Sequence, residues 1–197
     1  MGDGRKIKLA DIADIRQGYQ VRKEAEGNKG HTVNIIKMAD ITTDYTIEWD
    51  RLSVVRLENI KSSHYLENED IIFCARGADN YSIMIDEPKT DSIAAYHFLV
   101  ISPDPQQVVP AYLAWFLQLP VSRAYFTGNA LRGTVPLVKK ETLAKYEIPL
   151  IDLEKQERVA ELYKLKNKEK TLVYQLADKR EKLINAILYN ALSIQER

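Results

Sequence analysis

Apolar side chains follow two different rhythms along this chain. Through the first hundred or so residues they come in short runs separated by Gly, Pro, Asn and Asp. From Leu150 to Arg197 there is no glycine or proline, and they recur at steps of three and four. Short apolar runs bounded by turn residues predict strands, and the longer period predicts a helix. Val33 to Met38, Ser53 to Leu57, Ile71 to Ala75, Tyr81 to Ile85 and Ala94 to Ile101 are the candidate strands; Ser102-Pro103-Asp104-Pro105 stops the last. Leu9 to Ile15 opens either a strand or a helical turn before Gly18. Pro110 stands where helices accept it, at the first turn of Ala111 to Leu117, and Pro120 starts a second short helix through Tyr125. A glycine-bearing loop from Thr127 to Thr134 and a small unit from Leu137 to Leu150 complete the body. The expected fold class is α+β, with a mixed, β-rich body over residues 1–151 and one long C-terminal helix over 152–197.

Asp152 is the expected N-cap of that helix, with Glu154 in its first turn. Leu162, Leu165, Leu172, Leu176, Leu183 and Ile187 form its stripe, widened by Val159, Val173, Ile184 and Leu188. Unbroken, the helix would run about 60 Å at 1.5 Å per residue, longer than the body beneath it. Its distal half therefore needs a second helix, and pairing as a coiled coil is expected. Lys166, Glu169 and Arg180 interrupt the stripe. The competing arrangement is a helical hairpin folded back at Lys166-Asn167-Lys168.

Charge and cysteine content narrow the function. Formal net charge is zero; ten Lys/Arg against seven Asp/Glu from Glu154 onward leave the body slightly acidic. No global field draws the molecule to nucleic acid or lipid, so any nucleic-acid surface must be a local patch. The single cysteine, Cys74, excludes an intramolecular disulfide and a multi-cysteine zinc site; it reads as a small buried hydrophobe. Nothing at the start reads as a signal peptide, and no apolar stretch is long enough to span a membrane. A cytoplasmic protein with no membrane partner is expected.

Phosphate-binding glycine loops, paired-histidine zinc motifs, nucleophile elbows and cofactor fingerprints are absent from the sequence. No cofactor, metal site or catalytic residue is expected. His31, His64 and His97 lack ligand spacing, and His97 lies in an apolar run that suits a core histidine. Three loops stand out instead, at Arg16 to Lys23, Arg76 to Tyr81 and Asn129 to Thr134. Arginine reads guanine, Gln and Asn read adenine, and Thr and backbone amides hold phosphates. Arg16, Gln17, Tyr19, Gln20, Arg22, Arg76, Asn80, Arg132 and Thr134 are the candidate DNA contacts. Taken alone, these loops read first as solvated turns.

Their order along the chain adds a resemblance. Lys8 to Tyr19 resembles the opening of target recognition domains in specificity subunits of type I restriction–modification systems, and Ile35 to Ile41 their second strand. Tyr65 to Gly77 is similar to their Leu-x-x-Gly-Asp-Ile-Leu…Arg-Gly segment, with Asn68-Glu69 where glycine is usual. Pro110 to Leu117 matches a Pro-x-Tyr-Leu helix. Ile148 to Gln156 is like the Ile-Pro-Leu-Pro-x-Leu-x-x-Gln entry to a long helix, with Ile151 at the second proline. The resemblance implies a non-catalytic subunit that reads double-stranded DNA and directs methyltransferase and, through it, restriction subunits to a bipartite site. Such subunits carry two recognition domains and two long helices paired antiparallel. This chain has room for one of each, so a half-subunit that homodimerises through its helix is expected.

Two other readings remain at this point. A metal-dependent nuclease would use Asp70, Glu87 and Lys89, although Pro88 suggests a turn there. A protein–protein adaptor would use the loops for protein and the helix for oligomerisation.

Overall fold

The computed structural model describes residues 5–21, 30–131 and 133–193. The chain starts with β1 (Arg5–Lys8), a 3-10 turn at Leu9–Asp11 and β2 (Ala13–Gln17). It continues through β3 (His31–Ile36), β4 (Ser53–Leu57), β5 (Ile71–Cys74), β6 (Ser82–Met84), β7 (Ser92–Ala94) and β8 (Phe98–Pro103). Helices α1 (Pro110–Leu117), α2 (Pro120–Asn129) and α3 (Lys140–Ala144) follow, then β9 (Glu147–Leu150) and α4 (Leu153–Ser193).

Strands β5 and β8 are apolar at consecutive positions because their sheet is covered on both faces. The sheet is antiparallel in the order β2-β8-β5-β6. Ile71, Phe73, Leu99 and Ile101 point into one core with α1, α2 and α3. Ile72, Cys74, Phe98 and Val100 point into a second core with Ile36, Tyr81 and Ile85. Cys74 is thus the buried hydrophobe its sequence context suggests, and burial pushes its thiol pKa up. Strand β1 pairs with β9 in a separate two-stranded sheet, and in a three-stranded one β3 pairs antiparallel with β4 and parallel with β7. Val33, Ile35, Val55 and Leu57 form a third cluster there. Helix α1 is buried almost all round, as a helix wedged between a sheet and another helix must be.

The expected strand from Ala94 to Ile101 is in fact two. Ala95 to His97 turn the chain out of the three-stranded sheet as β7 and into the four-stranded one as β8, with Phe98 N–H donating to Ala95 O at 3.0 Å. An apolar run cannot reveal such a turn, because both halves are buried. The second short helix extends to Asn129 rather than stopping at Tyr125.

Helix α4 is continuous, so the alternative hairpin at Lys166 to Lys168 does not form. Its root is fixed by Gln156, which is fully buried. Its Oε1 accepts from Val109 N–H at 2.9 Å, serving the N-terminus of α1, and its Nε2 donates to Ile151 O at 2.7 Å. Asp152 precedes the helix, and its carboxylate accepts from Lys155 Nζ at 2.7 Å. Val159, Ala160 and Tyr163 turn toward the body. Beyond them the six stripe residues Leu162, Leu165, Leu172, Leu176, Leu183 and Ile187 are between 54% and 68% exposed.

Glu69 has φ +68°, a left-handed conformation that costs a non-glycine residue about 1–2 kcal/mol. It occupies the turn before Asp70-Ile71, where glycine is usual in the segment that this stretch resembles. Glu69→Gly should therefore stabilise the fold by about 0.5–1 kcal/mol, net of glycine's greater chain entropy. A denaturation midpoint that fell instead would contradict this.

Candidate nucleic-acid interface

The residues that join the two sheets also gather the three polar loops. Past β2, Gly18 N–H donates to Phe98 O at 2.9 Å and Tyr19 N–H to Ala94 O at 2.7 Å. Only glycine allows this approach, since a Cβ at position 18 would lie 2.2 Å from Ala95 O. On the other side Ala75 N–H donates to His97 O at 3.0 Å. The next loop joins through Gly77 N–H to Pro136 O at 3.1 Å and Val138 N–H to Ala75 O at 2.8 Å. Segments around 17–20, 76–80 and 133–138 thereby meet around Ala94 to Phe98, although more than fifty positions separate each from the next.

Within this cluster the individual candidates differ. Arg76 is half-buried, its guanidinium 5.3 Å from the Tyr96 ring centroid, and it forms no ion pair among the described residues. Gln17 is exposed; its amide nitrogen donates to Tyr96 O and Phe98 O at 2.7 and 3.0 Å, which fixes the side chain at the rim. Gln20 and Thr134 are exposed. Tyr19 packs edge-on to His64 at 5.0 Å, so much of its ring serves packing. Arg22 and Arg132 lie outside the described residues.

Two candidates serve the fold. Arg16 is held inward by Asp70 at 2.6 Å and by Tyr65 O at 3.0 Å, with Ser102 also accepting from it. Asp70, nearly fully buried, also accepts from Glu67 N–H at 3.0 Å and from the Ser102 hydroxyl. Arg16 thus ties β2 to β8 and to the turn before β5. Asn80 is buried and donates to Cys74 O at 2.9 Å, closing the turn after β5. Neither is presented to an outside ligand, and their sequence neighbourhood gave no sign of these distant partners.

Sequence reasoning passed over Tyr96 and Met38, and it read His97 as a core histidine, whereas His97 is only half-buried. Tyr96 is exposed and lies against His97 with ring centroids 3.9 Å apart. Met38 is also exposed, its Cε 3.7 Å from where a Cβ on Gly77 would stand. Gly77 has φ +121°, a conformation that requires glycine. An arginine stacked on an exposed aromatic, beside exposed amide and hydroxyl groups, can meet bases by stacking or hydrogen bonding. A hollow of about 260 Å³ between Gly77, Asn80, Thr127, Leu131 and Pro136 lies at the same end.

The proposed nuclease residues are committed elsewhere. Asp70 is in the ion pair above, and Lys89 donates to Trp49 O at 2.6 Å and Asp50 at 3.1 Å. Glu87 sits in a turn with φ +49°. Among the described residues no group of three metal-ligating side chains occurs, and no helix is long and apolar enough to cross a membrane.

A fold of this form, with loops gathered at one end and a projecting helix, is that of a specificity domain. The chain belongs to the type I restriction modification DNA specificity domain family, whose model matches residues 1–174. The family is non-catalytic. No curated protein matches the chain by sequence. Among solved structures it is similar to the HsdS subunit from Thermoanaerobacter tengcongensis, with TM-score 0.66 and 18% identity over 92% of this chain and 46% of that one. It is also similar to a chain described under "complex assembly and conformational transition of the type I R-M system", with TM-score 0.61 and 16% identity over 88% and 40%. A type I restriction–modification S subunit from M. genitalium gives TM-score 0.54 and 14% identity over 80% and 37%. The chain thus spans less than half the length of these structural relatives.

Asp70→Ala should cost about 3 kcal/mol, because it strands a mostly buried guanidinium. Chemical denaturation measures this, and a loss below about 1 kcal/mol would assign the pair a lesser role. Burial first and Arg76 second hold the His97 pKa below the ordinary 6.5. The folded protein therefore binds fewer protons than the unfolded chain as pH falls through that value. The His97 contribution should be complete above pH 6.5 and shrink below it, and His97→Gln should flatten that slope. An unchanged slope in the variant would contradict the assignment.

Proposed function

We propose that this chain is the DNA-sequence-recognition half of a type I restriction–modification specificity subunit. Residues 1–151 are the target recognition domain, and residues 152–197, which carry α4 (Leu153–Ser193), space two such domains and dock the methyltransferase subunit. Through that subunit the restriction subunit joins the complex. The observation that carries the reading is that Gln17 and Arg76 meet at exposed Tyr96, beside the segments that bear Gln20 and Thr134, in a chain of this family. Phosphate contacts would position the domain and a few side chains would read base edges. Gln17, Gln20, Arg76, Thr134 and Tyr96 are the preferred contacts, with Arg22 and Arg132 on side-chain chemistry alone. Arg16 and Asn80 are withdrawn as direct contacts.

In this reading a second copy of the chain supplies the second helix, and the exposed stripe on α4 supports it. Two-fold symmetry then makes the DNA target an interrupted palindrome whose gap is set by the helix pair. With zero net charge, strong binding belongs to the assembled complex rather than to the chain alone.

Selection from randomised duplex DNA, using the chain together with its methyltransferase subunit, tests the reading. Enrichment of a two-part symmetric site is expected. Arg76→Ala should weaken binding to the selected site by about 1–3 kcal/mol if Arg76 reads a base. Failure to enrich any sequence would overturn the proposal.

A further inference from the structure

Large apolar side chains exposed on the body are few, and most of them are gathered in one place. Among the described residues before α4 they are Met38, Val54, Tyr96, Val121, Leu131 and Val135. Four of these six meet at the pair Arg76-Gly77. The Arg76 guanidinium lies 5.3 Å from the Tyr96 ring centroid, and Met38 Cε is 3.7 Å from where a Cβ on Gly77 would stand. Gly77 N–H donates to the carbonyl of Pro136, the residue after Val135, at 3.1 Å. Arg76 also pairs antiparallel with Leu137, which exchanges backbone hydrogen bonds of 2.8 and 3.3 Å with Leu131. Single exposed apolar residues are ordinary, whereas a patch of them beside polar groups marks a contact surface.

We infer that Leu131 and Val135 read the C5-methyl group of a thymine in the major groove, beside the base that Arg76 reaches. This rests on the DNA-recognition reading above and names the base feature that the apolar patch takes. Leu131 and Val135 are the most exposed of the four, at 48% and 54%. Tyr96, by contrast, has Arg76 and His97 against its ring, and Met38 reaches over Gly77. Leu131 is also one wall of the hollow of about 260 Å³, whose walls at Gly77, Ala78, Ala130 and Pro136 are uncharged. Asn80, in the same lining, spends its amide nitrogen on Cys74 O. Such walls hold water weakly, and a methyl projecting from a base edge can take its place.

The choice of groove follows from the mixture of groups. The major groove displays thymine methyls beside hydrogen-bond donors and acceptors, so a surface of aliphatic, amide and guanidinium groups matches it. Gln17, Gln20 and Thr134 are the exposed polar members here. The minor groove shows no methyl group. Proteins that read it bring cations to its negative potential or drive a single apolar wedge between base pairs. In this chain the apolar side chains are spread around an arginine, and beside them is a recess rather than a projection. Leu131 and Val135 therefore add specificity of their own to that of the arginine, since cytosine at the same place carries no methyl.

Base analogues test this on the site selected with the chain and its methyltransferase subunit. Replacing a thymine by deoxyuridine removes only the methyl. At one position of the half-site this should raise the dissociation constant about fourfold, the worth of one buried methyl. Leu131→Ala/Val135→Ala should bind the deoxyuridine duplex as the unmodified chain does and lose the preference for thymine. Both positions are exposed, so the fold should persist, as circular dichroism would verify. Val54→Ala, on β4, should leave the preference intact. Cytosine methylated at C5 carries the same group, so a parallel series methylates each cytosine of the site, and no gain is expected. A gain there with no loss at any thymine would make methylated cytosine the ligand and overturn the assignment. A preference that survives in the double variant, or equal affinity for thymine and deoxyuridine everywhere, would overturn the inference while the DNA-recognition reading stands. So would a sharp kink at a base step without thymine preference, the mark of a minor-groove wedge. If no sequence is enriched at all, the recognition reading fails and this inference with it.

Discussion

The buried amide of Gln156 is the constraint on which the arrangement of the molecule turns. Its two hydrogen bonds hold the start of α4 to the start of α1 and to Ile151, and β9 pairs with β1 just before it. They fix the direction in which a 41-residue helix leaves the body and the face it presents on leaving. Because Val159, Ala160 and Tyr163 take the inward side, the leucine seam is turned outward from its root. A long stretch of helix with no tertiary cover is marginal in water. Its exposed apolar residues are the ones the proposed helix pair would cover.

A second constraint shapes the opposite function. The short crossing from Ala94 to Phe98 joins two sheets and offers backbone partners to Gly18, Tyr19 and Ala75. Loops remote in sequence are thereby assembled on a rigid frame, the arrangement that lets variable loops carry specificity without disturbing a core. The Arg16–Asp70 ion pair braces the same frame from inside. The proposed DNA-reading end and the proposed pairing helix thus come from separate parts of one chain.

Much of the frame was legible in the sequence wherever a short-range rule was enough. The periodic stripe gave α4, turn-bounded apolar runs gave β3, β4 and β5, and Pro110 gave the start of α1. The entry to α4 was recognisable by its motif, and the structure supplies the reason for its glutamine. What escaped notice depended on partners far along the chain. Arg16 and Asp70 are 54 positions apart, and no local pattern distinguishes an arginine that braces a core from one that meets DNA. Asn80 looked like a loop amide but spends its donor on Cys74 O. Tyr96 was hidden in an apolar run because the turn at Ala95 to His97 leaves no glycine or proline to mark it.

Hydrogen exchange along α4, followed at several protein concentrations, addresses the central claim most directly. Amides near Gln156 and Ala160 should be protected at every concentration, since their cover belongs to the same chain. Amides from Leu162 to Ile187 should gain protection as concentration rises and a mate binds the seam. Fast, concentration-independent exchange across that distal stretch would contradict the account.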